Sequence, residues 1–155
     1  MEFAVYIAIV MATFFGMEWV AWATHKFLMH GPMWYFHKDH HQKEPGFFEK
    51  NDVFFLIFAV PSWLCIMLGL MNQLYWVVAI GAGIAVYGMA YFIVHELIIH
   101  QRFKVFTQLN NKYVRGIRRA HRAHHARLGK EDGVSFGMLI VAKQYFEERR
   151  RKSSN

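Results

Sequence analysis

Ten histidines fall into four short clusters and nowhere else. HKFLMH holds His25 and His30, and HKDHH holds His37, His40 and His41. HELIIH holds His95 and His100, and HRAHH holds His121, His124 and His125. Ordinary usage would give roughly three or four histidines in a chain of this length. A single histidine on an apolar face is usually a satisfied core residue, but ten in four clusters need another reason. Neutral imidazole is a good ligand for iron, copper, zinc and nickel. One ion takes at most about six ligands, so the set exceeds a single site. Two ions with about five nitrogens each would use it all.

Spacing gives some local geometry. Residues at i, i+3 and i+4 share a helix face, so His37, His40 and His41 can converge, as can His121, His124 and His125. The five-residue steps from His25 to His30 and from His95 to His100 differ. On a regular helix they lie about 140° apart, so one straight helix would not aim both rings at one ion. Either the helix ends between them or the two rings reach different ions. Gly31 and Pro32 fit a helix end just after His30. No Glu-x-x-His motif of the soluble di-iron bundles is present: Glu96 precedes His100 by four residues and Glu18 precedes His25 by seven. Asp39, Glu96 and Asp132 are candidates to orient ring N–H groups behind the metal. Asn51 or Asp52 reads as a helix N-cap rather than a functional group.

The elements that must carry these clusters are apolar. A membrane span needs roughly 20 mostly apolar residues. Phe3–Ala23, Val53–Met71 and Leu74–Val94 (spans 3–23, 53–71 and 74–94) meet that length, with Glu18 the one charge among them. Gly81, Gly83 and Gly88 in the third are small residues of the kind that let helices approach closely in lipid. Only Asn72 and Gln73 separate the second and third spans. Every Lys and Arg lies between Lys26 and Lys50 or after Val94. By the positive-inside rule this puts 24–52 and 95–155 in the cytoplasm. All ten histidines then sit at the cytoplasmic face of one 155-residue domain, an all-α integral membrane protein with additional amphipathic helices. The first segment lacks a basic leader and a small-residue cleavage site, so it reads as retained. Val134–Ala142 is apolar but too short to cross and is expected in the interface or packed on the domain.

Composition narrows the classes further. Hydrophobic residues make up 55% and charged residues 19%, too apolar for a disordered chain. Cys65 is the one cysteine, which excludes an intrachain disulfide framework and a cysteine-based zinc or iron–sulfur site. The formal charge of +7 is explained by topology, so a nucleic-acid partner is not expected. Arg102, Lys104, Arg115, Arg118 and Arg119 are available for lipid headgroups or an acidic electron donor, and the basic run Arg149–Lys152 for a solvated or headgroup-facing end.

A metal site under transmembrane helices suggests a substrate delivered from the bilayer. Lipidic hydrocarbons demand cleavage of strong C–H bonds, which side chains cannot perform and redox metal with O2 can. The ligands alone leave zinc hydrolysis and metal transport open as different classes of answer. Transport would need ligands along a transmembrane path, whereas these sit at one face.

Four segments carry a family resemblance: GMEWVAWATHKFLMHG (16–31), HHQKEPGFFEKND (40–52), YGMAYFIVHELIIHQRF (87–103) and RRAHRAHHARLGKEDGVSFG (118–137). Together they cover nearly half of the chain. The boxes resemble the membrane fatty-acid hydroxylase superfamily of di-iron enzymes, and the flanks HELIIHQR and AHRAHHA…GKEDGVSFG resemble, more narrowly, the bacterial β-carotene 3-hydroxylase family. That resemblance implies a monooxygenase acting at C3 and C3′ of β-ionone rings, taking β-carotene through β-cryptoxanthin to zeaxanthin. Ketolated rings, toward astaxanthin, are further substrates it implies. It implies two iron ions, for which zinc can substitute in a purified sample, O2 as co-substrate, and electrons from ferredoxin and its NADPH-dependent reductase. It carries a metal-ligand role onto all ten histidines, in the bacterial inner membrane. Glu96 stands where relatives are expected to have Asp. Tyr87, Met89, Tyr91 and Phe92, just before the third box, are candidates to line an apolar slot for the ring. Another lipid substrate, a desaturase or a 4-ketolase on the same scaffold is the nearest alternative.

Overall fold

Three apolar runs dictate the architecture, because in lipid a helix satisfies its own backbone groups. The computed structural model describes residues 2–147 and is helical, with no strand among the described residues. The first helix, α1, covers Glu2–Ala23 and continues as a π-helical segment, Thr24–Met29. A short helix, α2 (Trp34–His41), follows. A single turn at Lys50–Asp52 leads into α3 (Val53–Met71). A tight reversal returns as α4 (Tyr75–Phe92), which also ends in a π-helical segment, Ile93–Ile99. The last long element is α5 (Lys112–His125), started by Asn111, whose side chain accepts the Val114 N–H at 2.9 Å. The continuous helices Glu2–Met29, Lys50–Met71 and Tyr75–Ile99 are long and apolar enough to cross a membrane. The basic run Arg149–Lys152 lies outside the described residues.

α4 lies between α1 and α3. Close approach comes from small residues, as van der Waals packing in lipid requires. A Cβ on Gly83 would fall 2.9 Å from the Val10 carbonyl oxygen, and one on Gly81 would fall 2.8 Å from the Ser62 carbonyl oxygen. Gly88 corrects the expectation: nothing lies within 4 Å of its Cβ position, so it mediates no helix contact. Large apolar side chains such as Phe3, Trp19, Phe55 and Trp63 face outward.

Below the bundle, α5 is amphipathic and buries Val114, Ile117, Ala120, His121 and His124. Val134–Ala142 forms no helix. It packs on the domain, where the backbone N–H groups of Met138, Leu139 and Ile140 donate to Glu18 Oε1 at 3.1, 2.9 and 2.9 Å. Tyr87 donates its hydroxyl to the other oxygen, Oε2, at 2.8 Å. Glu18, the one charge within 3–23, 53–71 and 74–94, therefore joins α1, α4 and the C-terminal segment.

Candidate metal centre

The two π-helical segments resolve the five-residue spacing in a way neither sequence alternative foresaw. A π-helix closes its bonds between residues five apart, so such residues lie nearly above one another. His30 N–H donates to the His25 carbonyl at 3.0 Å, and His100 N–H to the His95 carbonyl at 2.9 Å. Each pair therefore faces one way. The helix does not end between them, and the two rings of a pair do not diverge.

The i, i+3, i+4 clusters behave in the opposite manner. Ring nitrogens of His25, His30, His37, His41 and His124 lie within 4.8 Å of one another, and so do those of His40, His95, His100 and His121. His125 lies outside both sets: its ring centroid is 4.4, 4.7 and 5.0 Å from those of His121, His40 and His100 in the second group, and it stacks on His41 of the first at 4.5 Å. His37 and His41 therefore separate from His40, and His124 from His121. Positions i+3 and i+4 fall on either side of the helix line through i, about 100° apart. α2 and α5 each straddle the two groups instead of serving one.

Ring orientation shows what the groups fit. In the first group every Nδ1 donates outward to a neutral oxygen. His25 donates to the Phe136 carbonyl at 3.0 Å, His30 to that of Lys130 at 3.0 Å, and His41 to that of Arg127 at 2.9 Å. His124 donates to the Val134 carbonyl at 2.9 Å and His37 to Asn51 Oδ1 at 2.7 Å. A neutral ring with its proton on Nδ1 carries a lone pair on Nε2. Those Nε2 atoms face one another, at 3.1 Å for His25–His37 and 3.2 Å for both His41–His37 and His30–His124. Facing lone pairs repel unless a cation lies between them. Protonation does not supply it, because burial holds the rings neutral: His41 falls to about 4, His124 to about 3 and His37 to about 2. In and beside the second group the buried Nε2 atoms of His40 and His125 have no hydrogen-bond partner, and His121 Nε2 lies 2.7 Å from His100 Nε2. The donor set fits two metal ions.

The groups behind the rings are partly those expected. Glu96 Oε1 accepts from His95 Nδ1 at 2.6 Å. Asp39 is buried, but its Oδ2 accepts the Lys50 N–H and its Oδ1 has no partner, so it orients the chain beside the site rather than a ring. Asp132 is exposed at φ 59° and reaches no ring. Its neighbours act instead, through backbone carbonyls between 127 and 136, which no side-chain pattern announces. Two partners escaped sequence reasoning. Glu49 Oε2 accepts from His40 Nδ1 at 2.8 Å, and Asn51 serves His37, not the start of α3. Their presence in the HHQKEPGFFEKND segment was the available signal. Asp52 likewise makes no side-chain cap on α3; it accepts both terminal nitrogens of Arg102, at 2.9 and 3.0 Å.

The four pocket candidates do not line one slot. Tyr87 is buried on Glu18, and Met89 is 65% exposed on the outer face. Tyr91 stacks on the His95 ring at 5.0 Å, and Phe92 lies against Phe103 at 6.4 Å. The expected basic surface is also reduced. Arg102 is tied to Asp52, and Arg118 donates to the carbonyls of Ile98 and Leu109, both at 2.9 Å. Arg119 donates to the carbonyl of Glu147 at 3.0 Å.

Comparison with known proteins finds hydroxylases. The chain is 44% identical over 135 residues to a β-carotene hydroxylase of Pantoea ananas, covering 86% of this chain and 75% of that protein. It is 38% identical over 135 residues to a β-carotene hydroxylase of Paracoccus sp. (strain N81106 / MBIC 01143), covering 86% and 82%. A chloroplastic β-carotene hydroxylase 2 of Capsicum annuum is 40% identical over 136 residues, covering 85% of this chain and 43% of that longer protein. No solved structure matches the chain. The fatty acid hydroxylase model matches residues 10–144, and the chain, with its histidines gathered at one end of three membrane-length helices, belongs to that family.

Proposed function

We propose that this protein is a β-carotene 3-hydroxylase. It converts β-carotene through β-cryptoxanthin to zeaxanthin by oxygen-dependent hydroxylation at C3 and C3′, and it also takes ketolated rings toward astaxanthin. The observation that carries the reading is the division of nine of the ten histidines into two converging groups, with His125 beside them, taken with the names of the relatives. All ten serve as metal ligands, five to each of two iron ions, for which zinc substitutes in purified samples. Bound iron supplies the activation of O2 that an unactivated C–H bond requires.

The chain's own residues do the rest. The outward Nδ1 bonds of seven rings, all five of the first group together with His40 and His95, fix those rings and keep their Nε2 atoms free. Trp34 packs on the His30 and His41 rings at 5.2 and 5.4 Å, and Phe136 packs on His25 at 5.4 Å. These aromatic walls limit water around the first group, as Tyr91 does for His95 in the second. C3 of the ring is not allylic and the neighbouring C4 is, so position is set by how the protein holds the ring, not by intrinsic reactivity. The substrate arrives laterally from the bilayer along the apolar bundle. The site faces the cytoplasm at the bacterial inner membrane, where ferredoxin and its NADPH-dependent reductase supply electrons.

The test is pigment chromatography in bacteria that accumulate β-carotene. Cryptoxanthin and zeaxanthin should form with the parent chain and not with His124→Ala. Unchanged pigment from inserted, iron-loaded protein given ferredoxin refutes the substrate assignment, and a 4-keto product refutes the position. A reporter fused after Asn155 should read cytoplasmic; a periplasmic signal would overturn the topology.

A further inference from the structure

The two histidine groups differ in what stands behind them. All five rings of the first group lean on neutral oxygens, four backbone carbonyls and the Asn51 amide. In the second group His40 and His95 lean on carboxylates, Glu49 at 2.8 Å and Glu96 at 2.6 Å. Arg102 holds this acidic side in place. It pairs bidentately with Asp52 and approaches Glu96 Oε2 at 3.4 Å, leaving Oε1 to His95. The Glu49 N–H donates to Asp52 Oδ2 at 3.1 Å, so both carboxylates belong to one framework.

A carboxylate behind an imidazole draws its Nδ1 proton outward and makes Nε2 a stronger donor. It also brings a full negative charge near the ion, where a carbonyl brings only a dipole. We infer that the two metal positions are unequal: the ion held by His40, His95, His100, His121 and His125 is bound more tightly than the ion held by His25, His30, His37, His41 and His124, because Glu49 and Glu96 back its ligands. This rests on the two-metal reading above. The second position fills first and empties last.

Staged removal of Zn2+ from the purified full chain in detergent tests this. Zinc is redox-silent, so the measurement reads affinity without turnover. The parent should hold two Zn2+ per chain and release them to a competing chelator in two steps, at least about tenfold apart in chelator strength. In Glu49→Gln/Glu96→Gln the tighter step should weaken by about 10- to 100-fold and approach the weaker one. Glu96→Asp, which keeps a carboxylate, should retain two separate steps. Asn51→Asp introduces a carboxylate behind His37 and should tighten the weaker step alone. It also carries the test if the double variant fails to fold.

A single release step in the parent overturns the inequality while leaving two ions in place. Two steps unmoved by the glutamine changes, or a weaker step that moves instead, overturn the role of Glu49 and Glu96. Fewer than two Zn2+ per saturated chain overturns the two-metal reading itself.

Discussion

The bundle and the histidine cap are built on opposite rules. In α1, α3 and α4 most large apolar side chains face out, and the interior holds Ala79, Gly81, Gly83, Ser62 and the Glu18–Tyr87 pair, with Met17 and Phe54 the large apolar residues buried toward the cap. In the cap the interior is polar: His37, His124, His121, Asp39 and Asn51 are buried, with Ile117 among the few apolar residues beside them. The difference follows from the surroundings each half answers to. Lipid gives no hydrophobic reason to bury Leu or Phe, so close backbone approach organises the bundle. The cap buries imidazoles whose inner nitrogens face one another, and the outer nitrogens of His25, His30, His37, His40, His41, His95 and His124 each find an acceptor. Glu18 joins the halves, since one of its oxygens takes three N–H groups of the 138–140 segment while α1 carries it in the bundle.

The largest break should come from the cap. His124 is fully buried and its ring lies 4.4 Å from that of His25 and 4.7 Å from that of His41. His124→Ala should reduce hydroxylation to background and lower bound metal, while membrane fractionation shows normal insertion. Loss of insertion would mean the cap and bundle do not fold as separable layers.

The joint comes next. Glu18→Ala strips the acceptor from three backbone N–H groups at once. The Met138 bond is buried and those of Leu139 and Ile140 are part-buried; an unsatisfied buried group costs about 1–3 kcal/mol, so thermal unfolding in detergent should show a loss of about that size. Hydroxylation should fall with it, because Phe136 and Val134 sit on the released segment. A stable, active Glu18→Ala protein would show that the halves meet elsewhere.

Within the bundle the effect should depend on position. Gly83→Ala pushes a methyl into Thr13 and the Val10 carbonyl, and overpacking of this kind costs about 1–3 kcal/mol. Gly88→Ala meets open space and should be neutral or stabilising by up to about 1 kcal/mol through helix propensity. Equal melting shifts for the two would remove the close-approach account. The smallest effect should come from the outer face. Phe55 is 57% exposed, and Phe55→Leu should change the melting point by less than the equivalent of about 0.5 kcal/mol.

Much of this was legible in the chain. Three runs of about twenty apolar residues determine three spans, because an unpaired backbone cannot cross lipid. The gathering of the histidines at one end followed from where the boxes sit relative to those spans. Glu96 behind a ring was legible as a candidate, but adjacency to a histidine did not decide it, since Asp39 stands next to His40 and reaches no ring. What the tertiary structure alone decided was which ring joins which group. Helical spacing assigns His37, His40 and His41 to one face, yet the two groups lie close enough for a single turn of α2 to straddle them. A regular 3.6-residue helix denies His25 and His30 a common target, and a π-helical segment restores it. The acceptors from 127 to 136 are backbone carbonyls, which every residue carries and no residue type reveals. The order of residues along the chain required imidazoles to collect beneath a membrane bundle. Their partition into two groups, and the carboxylates beside one of them, depended on contacts between segments far apart in the chain.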